Sequence, residues 1–537
     1  AAASGVGGAG LDVDEVFSTF LYDPTGSAMT ITNNIDLTEG GLVWLKNRTG
    51  DNHHLFDTER GTPYTIRTND NSAQANPSNS LTAFNSNGFT IGNYTEINST
   101  NQPVVSWTFR KAPKFFDVVT YSGDGTNNQT FNHSLGCVPG MVIIKNTSRA
   151  GQDWWVWVND SITANEGRLN NTGDFGYNVI GTVTDTTVQT LNQNQFATNY
   201  SGDSYVAYLF AHNNNDGGFG PDGDQDIIKC GSVSYNAGAT VDLGFEPQWV
   251  LIKPSNNTGN WILNDVMRGM PNGSRGPRLD ADGSGSEIAN ATAVFPTSTG
   301  FTVPASLYDP TNLIYMAIRR GPLAVPDDAT KVFAIDTVGA SNAGAPAFQS
   351  NFVTDHMIAK VPGSNSDWLS NSRLVGTKYM STNTTAAEAN SGSMFWDYNN
   401  GVWEYGSGGS YTAWMWKRAP GFFDVVAWTG ASGTLNSVKH NLGVKPELVI
   451  LKYRGLADSW YVYNSATTGV MLLDSSGATL GSTNYMASTT ATDLNVTGLV
   501  SNPANSPIAY LFATVAGVSK VGSYTGNGSS QTIDCGF

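Results

Sequence analysis

The sequence predicts an all-β protein built from tandem β-sandwich or jelly-roll-like units of about 100 residues each. Three observations lead there. Of 537 residues only 13% are charged and 11% are aromatic, while Gly, Asn, Thr and Ser abound; hydroxyls and amides suit turns and strands better than helices. The runs Asp117–Tyr121, Met141–Lys145 and Tyr205–Phe210 are short, rich in Val, Ile, Tyr and Phe, and bounded by Gly, Asn and Asp, and no long stretch keeps a capped helical stripe. Finally, Phe115-Phe116-Asp117-Val118-Val119 recurs as Phe422-Phe423-Asp424-Val425-Val426, a shift of 307. A repeat of this kind decides the architecture.

Taken in order, residues 1–14 are a flexible Gly/Ala-rich lead that is not necessarily the native N-terminus. Residues 15–113 (repeat 1, first type) hold the lysine-tipped apolar strand Leu42–Lys46 and close on Trp107-x-Phe109-Arg110-Lys111-Ala112-Pro113. Residues 114–225 (repeat 2, second type) run from Phe115 through the turn His133-Ser134-Leu135-Gly136, the strand ending at Lys145 and Trp154–Trp157 to the aromatic strand Tyr205–Ala211. Residues 226–331 (repeat 3, third type) carry Gly231-Ser232, Val241–Phe245, Trp249–Lys253 and Ile314–Ile318.

The first and second types then return. In residues 332–421 (repeat 4), Val332-Phe333 answers Val16-Phe17 and Trp414 to Pro420 answers Trp107 to Pro113; in residues 422–517 (repeat 5), His440, Leu442, Pro446 and Lys452 answer His133, Leu135, Pro139 and Lys145. Residues 518–537 open a further, incomplete unit of the third type, because Gly522-Ser523 and Ile533-Asp534-Cys535-Gly536-Phe537 reproduce Gly231-Ser232 and Val241–Phe245. A lone two-stranded ribbon is marginal in water, so this stretch is expected to pair with another chain, to pack on the preceding unit, or to continue into the rest of a unit, with a native mass above 57.1 kDa. Pro/Gly-rich junctions place boundaries near 113, 225, 331 and 421. Five complete units, each with its own core, are expected, since a chain this long exceeds one core.

A net charge of −16 and a pI near 4.7 oppose a phosphate-neutralising surface, so no nucleic acid is expected as partner. No apolar stretch approaches the roughly 18–20 residues that span a bilayer, and Ala1–Gly10 lacks the features of a signal peptide, so no membrane insertion is expected. Cys137, Cys230 and Cys535 are odd in number and widely spaced; they read as small buried hydrophobes rather than a disulfide framework or metal site. Asn-x-Ser/Thr triplets at Asn47, Asn93, Asn98, Asn128 and Asn132 are what an Asn- and Thr-rich chain makes by chance.

The phrases Gly41-Leu42-Val43-Trp44-Leu45-Lys46, Phe56-Asp57-Thr58-x-Arg60-Gly61, Lys111-Ala112-Pro113-x-Phe115-Phe116-Asp117-Val118-Val119 and Tyr205–His212 extend over much of the chain together with their repeats. At these residues the chain resembles a family of tail-fibre-like virion structural proteins of marine bacteriophages, including cyanophages and pelagiphages. The resemblance implies a virion location and host attachment. It supplies no catalytic residues, and fold alone does not give function.

Candidate chemistry is sparse. His133 and His440 recur two residues before Leu-Gly, which favours a turn hydrogen bond over catalysis. His53 and His54 are adjacent, and neighbours on a strand face opposite ways, which disfavours a shared metal. Asp280-x-Asp282-Gly283-Ser284 resembles the opening of a calcium loop, but Ala291 stands where the bidentate Glu of an EF-hand belongs; with Asp222, Asp224 and Asp226 it reads better as a solvated turn. Trp396, Tyr398, Trp403 and Tyr405 could stack on a sugar, although core and cross-strand packing is the preferred reading. No Ser-His-Asp signature, nucleophile elbow, P-loop or His-Glu-x-x-His is present.

The expectation is therefore a non-enzymatic virion protein with no catalytic, cofactor-binding or metal residues assigned: an extracellular tail fibre or appendage that contacts a host-surface glycan or protein through loops at unit ends. Its partners are other virion proteins and copies of itself, a homotrimer by analogy with fibres. The alternatives are a capsid- or tail-decorating protein, and a secreted lectin or glycan-active enzyme.

Overall fold

The computed structural model describes residues 10–160, 166–193, 196–292, 294–308, 311–338, 346–391, 394–404, 410–429, 435–467, 469–477, 479–480, 486–497 and 505–537. The protein is all-β, 43% strand and 4% helix, in multiple antiparallel sheets. Among the described residues no helix is long and apolar enough to cross a membrane. The chain divides into two compact units. The first comprises Ala1–Asp265, Gly276–Val294 and Thr302–Gly321; the second comprises Val266–Arg275, Phe295–Phe301 and Pro322–Phe537.

One strand order underlies every repeat. In repeat 1 the main sheet runs Phe17–Tyr22, Val104–Arg110, Gly41–Asn47, His53–Asp57, so the first strand lies beside the last, and the last beside a middle hairpin. Repeat 2 follows with Phe116–Ser122, Ser204–Ala211, Pro139–Asn146, Trp154–Val158 and Gly167–Arg168, and repeat 3 with Ile228–Tyr235, Thr311–Arg319, Pro247–Pro254, Ile262–Asp265, Gly276–Asp280 and Ile288–Ala291. In the second unit, repeat 4 orders Phe333–Val338, Tyr411–Trp416, His356–Lys360, Leu369–Ser372, Lys378–Ser381 and Ala389–Asn390. Repeat 5 orders Phe423–Ala427, Pro507–Phe512, Leu448–Tyr453, Tyr461–Asn464 and Met471–Leu472. The three types discerned in the sequence are variants of one topology. Repeats 1, 2, 4 and 5 also hold a three-stranded sheet each, such as Met29–Thr32, Gly88–Ile91, Leu81–Asn85.

Within a repeat the two sheets form a sandwich. In repeat 1, Val43, Leu45 and Phe56 of the main sheet meet Ile31, Leu81, Phe89 and Ile91 of the small one. The opposite face of the main sheet is buried as well: all seven residues of Gly41–Asn47 are buried, as are all eight of Pro139–Asn146. Burial on both faces explains why these strands read as continuous apolar runs rather than alternating ones.

In the first unit that second face lies where three repeats meet. Phe17 and Phe109 of repeat 1 pack edge-on against Trp249 of repeat 3, with ring centroids 6.2 and 6.0 Å apart, and Phe109 meets Phe210 of repeat 2 at 5.6 Å. Repeat 1 thus has its own sandwich interior, and the three repeats share another. In the second unit, repeats 4 and 5 share a cluster that includes Leu374, Met380, Phe423, Val425, Trp460 and Tyr510.

Candidate functional site

The polar side chains with chemical potential are concentrated at the seams between repeats, and one device recurs at each seam. The strand-end lysine pairs with His53 in repeat 1 and Trp154 in repeat 2, and the corresponding residue, just before the first paired residue of the next strand, is Trp261, Trp368 or Trp460 in repeats 3 to 5. Its backbone N–H donates to an Asn or Asp further on: Asn69, Asn170, Asp282, Asn383 and Asp474, all at 2.9 Å. Two residues before Asn69, Asn170, Asp282 and Asn383 lies a carbonyl that receives the ring N–H of the neighbouring repeat.

Trp154 Nε1 donates to Arg67 O at 2.7 Å, Trp261 Nε1 to Arg168 O at 2.7 Å, and the His53 imidazole reaches Asp280 O at 3.1 Å. Repeat 2 is thus seated on 1, repeat 3 on 2, and repeat 1 on 3, a closed cyclic set. Trp460 Nε1 donates to Ser381 O at 2.9 Å in the same way in the second unit.

The lysines complete the device. Lys46, Lys145 and Lys253 are buried and donate to backbone carbonyls; Lys253 Nζ reaches Gly259 O at 2.5 Å and, across the seam, Thr172 O at 2.9 Å. Lys452 bridges to Thr385 O equivalently at 3.0 Å. Burial pushes Lys46, Lys145 and Lys253 down to about 8, because an ammonium loses its hydration there. The lysines are consumed in tying loop carbonyls, which otherwise would lie buried and unpaired.

One buried ionic network ties repeat 1 to repeat 2, and a second, partly exposed, lies within repeat 1. Arg60 Nε donates to Asp57 Oδ2 at 2.6 Å, and Tyr208 OH donates to the same oxygen at 2.8 Å. Burial opposes the charge on Arg60, but the Asp57 carboxylate more than offsets it and the guanidinium pKa rises; burial holds the Tyr208 phenol far above its usual range. Glu96 accepts from Asn52, Arg67 and Tyr94 at 2.8, 2.8 and 2.6 Å, and lies 2.9 Å from His54 Nε2. The contact with His54, followed by the other donors, holds the Glu96 carboxyl far below its ordinary range, while burial lowers the His54 imidazole. His54 is therefore neutral at pH 7 with its proton on Nε2, because a carboxylate can only accept.

His133 and His440 occupy the predicted turns. Leu135 N–H donates to His133 Nδ1 and Leu442 N–H to His440 Nδ1, both at 3.3 Å, while Nε2 faces the Thr184 and Thr490 carbonyls. His53 and His54 point into different surroundings, and among the described residues no group of three or more His, Cys, Asp or Glu is placed to hold a metal. Asp280 pairs with Arg278 at 2.8 Å, and Asp282 caps Trp261, so the two carboxylates do not converge. Asp226 accepts three N–H groups, from Asn215, Asp216 and Gly217.

Cys230 is buried, as expected, but Cys137 is half-buried and Cys535 lies in the exposed stretch Gly522–Phe537; all three thiols are free. Trp396 is buried and donates to Gly376 O at 2.8 Å, and Trp403 packs on the repeat 4 core; Tyr398 is half-buried and Tyr405 lies outside the described residues. Asn47 and Asn98 are 1% exposed, which leaves no room for a glycan.

One open cleft of about 420 Å³ sits at the strand ends of repeats 1 and 2, lined by Arg60, Gln74, Thr120, Tyr121, Ser122, Thr147, Ser204 and Tyr205. The lining supplies hydroxyls and an amide, and Tyr121 and Tyr205 stack on one another at 4.9 Å. Arg60 spends its charge on Asp57. Such a lining can hydrogen-bond a neutral polyhydroxyl ligand and offers no evident nucleophile.

Sequence reasoning found the lysine-tipped strands but missed what the lysines do. The available signal was the Asn or Asp that follows each of them at Asn69, Asn170, Asp282, Asn383 and Asp474. Comparison with curated proteins and with solved structures gives no match. A family model described as a domain of unknown function, DUF7483, matches residues 12–322 and 347–537, nearly the whole chain. The chain therefore belongs to the DUF7483 family.

Proposed function

We propose that this chain is a non-enzymatic structural protein of a bacteriophage virion, a tail fibre or appendage that works outside the cell. The observation that carries this reading is where the ionisable groups go. At the seams, lysines, histidines, arginines and carboxylates are tied into contacts that hold repeats together, and the cleft at the strand ends is lined by hydroxyls and an amide. The resemblance at Gly41–Lys46 and Lys111–Val119 to tail-fibre-like virion proteins supports a virion location.

In this reading host contact falls to the cleft bordered by Thr120, Ser122 and Ser204, at the end of the strands, with a surface glycan as ligand. Homotrimerisation belongs to the same proposal, although the first unit already closes a threefold set within a single chain. Light scattering at micromolar concentration tests it, and a monomer transfers the threefold role to the repeats.

Labelling of intact particles with an antibody to the chain is the decisive experiment. Label on tails or fibres, with adsorption blocked by the purified protein, is the expected result. Label on the particle without any effect on adsorption favours a decorating protein. Absence of label from particles, or glycan cleavage by the pure protein, overturns the proposal.

A further inference from the structure

The first unit closes a ring of three repeats, whereas repeats 4 and 5 use one seam and leave two seam surfaces open. Trp368 of repeat 4 stands where His53 stands in repeat 1, just before Leu369, the partner of Ala359; the strand-end Lys360 lies over its ring and its N–H is capped by Asn383. His53 is fully buried against repeat 3; Trp368 is 39% exposed. Beside it, Ile335 occupies the position of Thr19, each paired with the matching Trp414 or Trp107. Thr19 is 8% exposed and Ile335 is 58% exposed. Trp414 stacks on Trp368 at 5.4 Å and is itself only half-buried.

The second open surface is on repeat 5. Leu473 precedes the capping Asp474 as Leu169 precedes Asn170 and Ala281 precedes Asp282. Leu169 and Ala281 are fully buried beneath the next repeat, but Leu473 is 47% exposed. The carbonyl equivalent to Arg67 O and Arg168 O is that of Leu472.

From these positions we infer that the second unit is a ring with one empty seat, and that the seat takes a β repeat of the third type. The type follows from the first unit: repeat 1 is covered there by repeat 3, through Phe17 on Trp249, Trp107 Nε1 to Asp265 at 3.1 Å, and His53 to Asp280 O. Repeat 4 is of the first type, so its Ile335–Trp414–Trp368 face calls for the same partner. That partner offers a carbonyl to the Trp368 indole and a tryptophan to Leu472 O.

Val521–Phe537 spells the opening of such a repeat, and the side chains that are buried in repeat 3, Val241, Leu243 and Phe245, correspond here to Ile533, Cys535 and Phe537, all exposed. The family match has two stretches, 12–322 over repeats 1 to 3 and 347–537 over most of repeat 4, repeat 5 and the opening segment, so the opening segment is matched together with repeats 4 and 5. Exposed apolar positions on both open surfaces and on the opening segment mark one missing body rather than three unrelated patches.

The test extends the full chain by grafting residues 246–321 after Phe537, which completes a third-type repeat, and compares hydroxyl-radical footprints with those of the 537-residue chain. Side-chain oxidation of Trp368, Ile335 and Leu473 is expected to fall severalfold in the extended chain, while the already seated Trp154, Trp261 and Trp460 stay unchanged. A second extended chain with Trp368→Glu is expected to regain exposure at Leu473. Circular dichroism and protease resistance verify that the graft folds, and a graft that does not fold on this platform counts against the seat. A folded graft that leaves Trp368 and Leu473 as exposed as before overturns the inference. So does concentration-dependent protection of Trp368 in the unextended chain, which would make a second copy the occupant.

Discussion

Glu166 offers the sharpest test of how these interiors handle charge. It is 3% exposed, its Oε2 and Oε1 accept from Val179 N–H and Ile180 N–H at a long 3.3 Å each, and no cation is among these contacts. Burial raises its pKa from 4.5 to about 7 against the pull of those amides. The folded state therefore keeps a proton that the unfolded chain has already released. The stabilisation from that proton is complete below pH 4.5, falls as pH rises through 7, and is gone above it. At about 1.4 kcal/mol per pH unit, the window corresponds to about 3 kcal/mol.

Glu166→Gln removes the titration. It sacrifices about 1 kcal/mol of hydrogen bonding, because an amide has one acceptor oxygen where the carboxylate had two. The variant is expected to be more stable than the parent at pH 8.5 by about 2 kcal/mol, and to lack the parent's decline between pH 5 and 7. Scanning calorimetry of the first unit's transition checks this, with a rise of about 4 °C expected at the higher pH from the entropy of unfolding a body this large. Other groups titrate in the same window, so the difference between the two proteins is the quantity to read. Equal slopes, or a variant less stable at pH 8.5, would refute the burial argument.

Three further outcomes follow from the seams. Arg60→Leu strands the Asp57 carboxylate, which is fully buried, and is expected to cost about 3–5 kcal/mol in denaturant unfolding of the first unit; a cost below 1 would mean that water reaches Asp57. Trp154→Phe keeps the packing but removes the donor to Arg67 O, with a loss of about 1–2 kcal/mol and faster amide exchange at the seam of repeats 1 and 2. Asp282→Asn puts at this position the residue found at Asn69, Asn170 and Asn383. Because burial raises Asp282 to about 6, the stability of its neutral form is lost as pH climbs from 3.8 through 6, and the Asn variant is expected to gain about 1 kcal/mol at pH 8 in the same calorimetric assay.

The strands and the repeat were legible because both are local: Phe115–Val119 and Phe422–Val426 announce themselves by identity, and His133 and His440 by their place before Leu-Gly. The assembly of repeats was less so. Leu42–Lys46 and Trp249–Lys253 are apolar without alternation, which signals burial on both faces, yet nothing in either run says that the second face meets another repeat. The strand-end lysines look solvent-bound by residue type, and only the loop carbonyls folded over them make their burial possible. Cys535 is a residue type common in cores but lies in the exposed stretch Gly522–Phe537. The cleft at Thr120 and Ser204 brings together residues far apart in the chain, from Arg60 to Tyr205, and no motif marks it.

The placement of each repeat's first strand beside its last has a consequence for how the chain comes to be folded. Phe17 pairs with Phe109, Phe116 with Phe210, and Ile228 with Ile318, so a main sheet cannot close until nearly the whole repeat has left the ribosome. The middle hairpin forms early, the first strand waits with an unpaired edge, and the last strand must insert between them. Closing so long a loop is entropically costly and slow. The same geometry lets the chain leave a repeat at the place where it came in. A whole repeat can then be duplicated or deleted in the gene without rerouting its neighbours, and chain length becomes a matter of counting.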